Sequence, residues 1–321
     1  MVANKTSIIS FKRETTAGTS EITAVDSVTS YFGGYTEKTK EMSPPTQENV
    51  VKEYHHQDSR KAILQVGNKV NNTFETMYAP CSSLPDYQFL GYGDTGTPAT
   101  TTLRDTGKKD AYSIRHQETG GTTDQIFQAV GCYNIGIKGK VEMEFDEEIT
   151  QTWIYQSLED DGDRSALTTM PTYPEGIESV YSGKPKVTWA GSDLPEVWKV
   201  EWEQKQDYSI IDTGGSFTIN LHEYRPVTLT LTGILESNAQ WDAMADDTVI
   251  DITVRVYKQN DLTKYKDIVF NDCIVKTYTK GGKILEGAYL TTITLVCEDY
   301  STSFVNEFAG NFANWFVNGE P

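Results

Sequence analysis

Strict alternation of apolar and polar side chains recurs along the chain and constrains its fold more than any other feature. Val141, Met143 and Phe145 alternate with charged residues, and segment 198–202 has the same period of two. This period places apolar side chains on one face of a strand and polar ones on the other. Further alternating segments lie at 217–221, 227–231, 252–256 and 289–297. The pattern predicts a mainly β protein with half-exposed strands.

Helical patterns are few. Ser237 is a candidate N-cap for a short helix in which Trp241, Met244 and Ala245 share one face at spacings i, i+3 and i+4. A second helix is predicted over about 304–316, because aromatic residues recur there at helical spacing. Many strands with one or two short helices indicate a β-sandwich or β-barrel.

The order of these patterns repeats in the two halves of the chain. Segment 111–117 corresponds to 251–257, and Cys132 then corresponds to Cys273 after one inserted loop residue. Strand 141–145, which follows Gly139, likewise corresponds to 289–297, which follows a turn at Gly281-Gly282, and upstream 70–77 corresponds to 227–235. A repeated order of elements indicates repeated structural units. We therefore expect a duplicated β unit.

The length of 321 residues also exceeds that of one ordinary domain. We expect a first β domain at 1–157 with a long insertion at 33–60, and a linker at 158–185, which is acidic and proline-containing. The second β domain is expected at 186–321 and ends in a C-terminal helix or arm.

The charge of the chain argues against several functions. A formal net charge of -18 argues against nucleic-acid binding, because binding to phosphates needs clustered Lys and Arg. Such a charge also fits a salt-adapted surface or plain solubility, and these alternatives stay open. No apolar run approaches membrane-spanning length, and the start lacks a signal-peptide core. We expect synthesis in the cytoplasm and no membrane partner.

The cysteines and histidines show no ligand spacing. The four cysteines lack the paired spacing of a zinc site or a disulfide framework, so we expect buried free thiols. No histidine has a partner at metal-ligand spacing. These residues are Cys81, Cys132, Cys273 and Cys297, and His55, His56, His116 and His222.

Other chemical motifs are equally weak. The segment 91–96 fits GxGxxG, but a threonine-rich stretch follows where a nucleotide site needs a helix, so a flexible turn is expected. Asp160, Asp161 and Asp163 lack the spacing of a calcium loop and indicate a solvated loop. No nucleophile elbow is present. The sequence therefore predicts no catalytic, cofactor-binding or metal residues, no cofactor and no enzymatic activity.

The order of features resembles the major tail tube proteins of long-tailed DNA phages and related archaeal viruses. In the first unit the resemblance rests on segments 27–32, 59–60, 63–67, 70–77, 112–117, 127–132 and 141–145. In the second unit it rests on segments 197–202, 227–235, 252–257, 268–273 and 289–297.

The resemblance implies a β-sandwich with a flanking helix, whose copies join edge to edge into a ring with a continuous inner β-barrel. Such closure removes exposed strand edges. Rings stack through long loops and arms, here 33–60, 1–25 and the aromatic C-terminus, and DNA passes through the channel during ejection without specific binding. Strand 140–146, acidic on its free face, is a candidate for the channel lining.

Because this chain carries two units where most family members carry one, we expect three chains per pseudo-hexameric ring, with a hexamer of whole chains as the alternative. The implied partners are further copies, a terminator, a tape measure and a baseplate, in a virion tail assembled in the host cytoplasm. Alternatives are another tail component, such as a terminator or baseplate hub, or a secretion-system tube. A more remote alternative is a carbohydrate-binding β-sandwich module.

Overall fold

The computed structural model describes sixteen segments of the chain, which together carry twenty β-strands and one α-helix. The described residues are 6–14, 16–19, 31–32, 47–55, 61–70, 73–78, 100–101, 111–119, 125–143, 148–158, 184–212, 217–221, 226–235, 239–258, 261–285 and 288–305.

The strands of the first half are β1 (Thr6–Arg13), β2 (Tyr31–Phe32), β3 (Gln47–His55), β4 (Lys61–Val70), β5 (Thr73–Tyr78), β6 (Thr100–Thr101), β7 (Tyr112–Thr119), β8 (Gln125–Glu142), β9 (Glu148–Ile154) and β10 (Ser157–Leu158). The second half contains β11 (Lys186–Trp189), β12 (Ser192–Leu194), β13 (Val197–Lys205), β14 (Tyr208–Asp212), β15 (Phe217–Leu221), β16 (Val227–Gly233), helix α1 (Ala239–Ala245), β17 (Ile250–Lys258), β18 (Asp261–Leu285), β19 (Ala288–Cys297) and β20 (Asp299–Val305).

Antiparallel pairing connects most of these strands into one branched sheet. Its main path runs β12-β11-β17-β18-β19-β16-β13-β8-β7-β1-β2. Off this path, β9 and β10 pair with β8, β5 pairs with β9, and β20 pairs with both β18 and β6. Two hairpins, β3-β4 and β14-β15, form small sheets of their own. The mainly β fold expected from the alternating pattern is confirmed.

The two longest strands, β8 and β18, each belong to two parts of the sheet. β8 pairs with β7 as far as Cys132, and with β9 from Tyr133 onward. β18 pairs with β17 as far as Cys273, and with β19 from Ile274 onward. The prediction of separate strands at 127–132 and 141–145 is therefore wrong, because β8 runs without a break from 127–132 to Glu142; residues 144–145 lie outside the described part of the chain. The turn expected at Gly281-Gly282 lies inside β18 instead.

Among the described residues, the largest buried core lies mainly between the strands of the second half. Val227, Leu229 and Leu231 of β16 are fully buried, as their alternation with threonine predicts. Buried aromatic rings pack inside this core, where Phe270 lies 6.0 Å from Trp202 and 5.9 Å from Tyr300 between ring centroids. Apolar burial of this kind stabilises the layered sheet against the entropy of the unfolded chain.

The short helix forms where its pattern predicts, but it buries a different face. Gln240 and Ala243 of α1 are buried and Met244 packs against the core, whereas Trp241 is 49% exposed. The Trp241 ring instead contacts the edge of Tyr278 at 5.6 Å between centroids. The second predicted helix is wrong at its start, because residues 304–305 belong to β20; residues 306–316 lie outside the described part of the chain.

Two of the four cysteines form a disulfide, so the expectation that all four are free thiols is wrong. Cys273 and Cys297 form a disulfide across neighbouring strands, 24 residues apart in sequence. Cys132 is a buried free thiol as expected, and Cys81 lies outside the described residues. The strand register, rather than a sequence motif, brings the bonded pair together.

Candidate assembly surface

The two halves of the chain meet through main-chain pairing between β8 and β13. Lys199 pairs with Glu142, and the register continues without interruption to Lys205 opposite Gly136. On its other edge β13 pairs with β16. Since β13 belongs to the second half and β8 to the first, one hydrogen-bonded sheet crosses from half to half. We call residues 136–142 and 199–205 the junction.

One face of the junction is buried and closely packed. Val141 and Val200 lie opposite each other and are fully buried, and Trp202 lies opposite Gly139. A Cβ atom added to Gly139 would overlap the Trp202 indole ring. Glycine is therefore required here because the indole occupies the space that any larger side chain would need. The packing explains why a glycine interrupts the middle of a buried strand.

The opposite face of the junction is charged. Lys138 Nζ of the first half lies 3.3 Å from Glu203 Oε1 of the second half, so an ion pair joins the two halves across the strands. Neighbouring pairs lie along each strand, with separations of 2.6 Å for Lys140–Glu142, 2.9 Å for Lys199–Glu201 and 2.9 Å for Lys205–Glu203. Each pair is partly exposed and contributes little alone, but together they make a hydrated face of alternating sign.

Glu203 lies between two lysines and responds to both. Partial burial alone raises the pKa of this carboxyl, but the hydrogen bond from Lys205 and the charge of Lys138 outweigh burial and lower the pKa below its ordinary value. Glu203 is therefore ionised at neutral pH, where it stabilises the positive charges on either side.

Only the start of the expected acidic lining at 140–146 is described. There Lys140 lies beside Glu142, and Lys138 precedes them on the same strand. Residues 144–146 lie outside the described part of the chain. In the described part of the junction the lysines balance the acids, and the acidic lining at 140–146 stays a prediction.

A buried carboxylate, which the sequence did not single out, organises the turn after β1. Glu14 accepts hydrogen bonds from the backbone nitrogen of Gly18 at 2.7 Å, from Ser113 Oγ at 2.8 Å and from the backbone nitrogen of Gly131 at 2.9 Å. Burial and, next, the Glu14 charge raise the pKa of the Cys132 thiol. Glu14 thus fixes three segments that are far apart in sequence, and its neighbour Cys132 stays a neutral thiol.

Few of the residues weighed for chemistry lie in the described segments. His55 belongs to β3 and His116 to β7, whereas His56, His222, segment 91–96 and Asp160, Asp161 and Asp163 lie outside them. No group of three His, Cys, Asp or Glu side chains that could hold a metal ion occurs in the described segments. Likewise, none of the helices described there is both long and apolar enough to span a membrane.

The segments expected to stack rings are only partly described. From the arm at 1–25, residues 6–13 pair with β7 along their whole length as β1, so they belong to the sheet rather than to a free arm. From the insertion at 33–60, residues 47–55 form the first strand of the β3-β4 hairpin. The remainder of the insertion lies outside the described residues.

Comparisons with known proteins identify no family. No protein-family model matches the chain, and no curated protein matches it. Among solved structures, the sheath/tube terminator of PVC, an extracellular contractile injection system, in its extended state is similar with a TM-score of 0.31 and 13% sequence identity. The similarity covers 37% of this chain and 93% of that chain. A TM-score this low does not establish a common fold.

Proposed function

We propose that the chain is a structural virion protein, the major tail tube subunit. Copies form stacked rings around a channel through which DNA passes during ejection into the host. The observation that supports this proposal is the junction, where a hydrogen-bonded sheet continues from one half to the other and presents an ion-paired, polar face. Such a face suits a channel lining, because lysines neutralised by glutamates offer DNA no basic surface to adhere to.

The two halves would each provide one unit of the ring. Three chains would then complete a pseudo-hexameric ring, since each chain already contains one unit-to-unit contact, between β13 and β8. In this proposal the protein performs no catalysis and needs no cofactor. Its partners are other copies of itself, a terminator, a tape measure and a baseplate, and it resides in the virion tail after assembly in the host cytoplasm.

Negative-stain electron microscopy of the purified protein tests the function directly. We expect hollow tubes whose end-on averages contain three chains per layer. A matched variant lacking residues 37–56, inside the long insertion, should yield folded subunits without tubes if the insertion stacks rings. Six whole chains per layer would contradict the pseudo-hexamer and leave the tube intact.

Other outcomes would assign a different role. Single rings that cap tubes rather than extend would indicate a terminator, which is a different tail component. Glycan binding by a protein that stays monomeric would favour the carbohydrate-binding module and would overturn the tail proposal.

A further inference from the structure

The strands β8 and β18 change their pairing partners and shift their register at corresponding residues, although their sequences differ. Gly131 of β8 and Asp272 of β18 both have positive φ, 63° and 48°. A fully buried cysteine follows each of them, Cys132 and Cys273. Left-handed backbone interrupts the regular extended conformation of a strand, and at Asp272 it occurs in a residue other than glycine, where it is uncommon. Its occurrence at matching points of two long strands defines an alignment between them.

The next irregularity on each strand agrees with this alignment. The register of β8 against β9 shifts between Asn134 and Gly136, and the register of β18 against β19 shifts between Val275 and Thr277. Each shift comes two to four residues after the corresponding cysteine. Bulges re-aim a strand and fix its register. Residues 136–142 of β8 therefore correspond to residues 277–283 of β18.

The neighbouring strands follow the same correspondence. On one side, β9 and β10 accompany β8 as β19 and β20 accompany β18. The backbone nitrogen of Gln156 donates to the oxygen of Val130 at 3.1 Å, and that of Glu298 donates to the oxygen of Asn271 at 3.0 Å. Beyond these strands, β5 pairs with β9 as β16 pairs with β19.

The strand β13, which pairs with one edge of β8, has no described counterpart at the matching edge of β18. On the other side of β8, β7 is followed by β13, which pairs with residues 136–142. On the same side of β18, β17 pairs as far as Cys273, and in the described part of the chain no strand follows it along 277–283. Lys276, Thr277, Thr279 and Lys280 are exposed there.

This layer of the sheet therefore has two different ends. Its strand order is β18-β19-β16-β13-β8-β9-β5, so the first-half strands repeat the order of the second-half strands and stop at β5. Because the β18 end begins one repeat of this order and the β5 end closes another, the two ends of different copies can meet head to tail. Head-to-tail contacts of one kind generate rings when the rotation between copies closes.

We propose that the edge of β18 at 277–283 binds the β5 end of this sheet in a second copy of the chain, so that the sheet continues from copy to copy as it continues from half to half between β13 and β8. This inference rests on the proposed function and deepens it, since it names the edge that each subunit presents to the next. Main-chain hydrogen bonds supply such a contact irrespective of side-chain identity. Lysines on the unoccupied edge disfavour its pairing with unrelated strands.

Hydrogen exchange of the whole chain, as monomers and as assembled particles, tests the contact. The amides within 277–283 that point away from β19 should exchange at least about 100-fold more slowly in the assembly than in the monomer, because these edge amides lack partners until a strand docks. The corresponding residues 136–142 provide the internal control, since β13 already covers them and their exchange should stay slow in both states. Equal exchange at 277–283 in monomers and tubes would overturn the inference and leave the tube function standing.

A pair of proline variants provides a second test. Adjacent residues of a strand point their N–H groups to opposite sides, so one of Thr279→Pro and Lys280→Pro removes an outward donor and the other a donor to β19. The outward variant should keep its melting temperature and lose assembly, whereas the inward variant should melt earlier. If the variant with unchanged melting still assembles as wild type does, the contact lies elsewhere.

The two proposals fail in distinguishable ways. Dimers or short oligomers with slow exchange at 277–283, but without tubes, would support the edge contact and contradict the tube function. A wild-type chain that stays monomeric at high concentration would overturn both. Tubes whose 277–283 amides exchange slowly only when assembled would support both.

Discussion

Arg255 of β17 binds Asp267 of β18 through two parallel hydrogen bonds, with Nε–Oδ1 and Nη2–Oδ2 distances of 2.7 Å and 2.8 Å. The Arg255 guanidinium also lies 3.6 Å from the centroid of the Tyr265 ring. The Asp267 hydrogen bonds raise the pKa of Arg255 further above its ordinary value. The planar fork, the carboxylate and the aromatic face together hold the β17-β18 hairpin on its outer side.

Replacing Arg255 with lysine should therefore destabilise the chain even though the charge is kept. A lysine cannot form the two parallel bonds or stack flat on Tyr265, and we expect a loss of about 1–2 kcal/mol in the free energy of unfolding. Urea denaturation followed by tryptophan fluorescence measures this loss. Lys186→Arg, at an exposed ion pair with Asp193, is the matched control and should change stability little. Equal effects of the two variants would contradict the role given to the fork.

Gly139→Ala should damage the junction. The added methyl group meets the Trp202 indole, which is itself buried, so the core must shift and the expected loss is about 1–3 kcal/mol. Thermal unfolding by circular dichroism measures it. Gly191→Ala is unsuitable as a control because its φ of 81° is itself strained. The better control is Gly139→Ala combined with Trp202→Phe, which makes room and should recover part of the loss.

The junction should weaken in acid. The pKa of Glu203 is lower in the folded chain than in the unfolded one, where its ordinary value is 4.5. The ionised carboxylate therefore stabilises the fold at pH values above 4.5, and this stabilisation is lost as the pH falls through the pKa of the folded chain. Glu203→Gln should therefore flatten the pH dependence of unfolding between about pH 5 and pH 3. The effect is small because the carboxylate is partly exposed. Asp193→Asn, at the exposed pair with Lys186, provides the comparison; an equally flattened profile there would remove the special role of Glu203.

Breaking the disulfide should lower stability without unfolding the chain. Cys273 and Cys297 close a loop of 24 residues in sequence, and loss of such a link costs about 3 kcal/mol. Guanidinium denaturation of Cys273→Ala/Cys297→Ala in oxidising buffer measures the loss. Adding a reductant should bring the wild type to the stability of this variant, and should leave the variant itself unchanged. A wild type that is insensitive to reductant would mean that the bond does not form in solution.

In β16 the alternating pattern predicted which residues face the core, because a strand's faces are decided locally; in 141–145 it did so for Val141 but not for Met143, which is exposed in the turn after β8. Val227, Leu229 and Leu231 could be assigned to the buried side of β16 from their spacing alone. Strand partners could not be assigned in this way, since pairing depends on contacts between distant segments. The β13-β8 junction, which joins residues about sixty positions apart, had no local signal.

The same limit explains the errors. Gly139 was taken to precede a separate strand, whereas it lies inside β8, where the tertiary position of Trp202 requires a glycine. The bond between Cys273 and Cys297 could not be predicted from their spacing in sequence. Only the register between β18 and β19 brings these two cysteines next to each other. Glu14 is one of 46 acidic residues, and no neighbour in sequence reveals that it will be buried beside Ser113 and Gly131.

The junction has a consequence for how the protein becomes competent to function. Since β13 is held by β16 on one edge and by β8 on the other, neither half completes its sheet until the other is in place. The two halves should therefore melt in a single cooperative transition rather than in two steps. If the chain assembles as proposed, newly made chains would expose the β18 and β5 edges only when both halves have folded, and half-folded chains would not join the assembly.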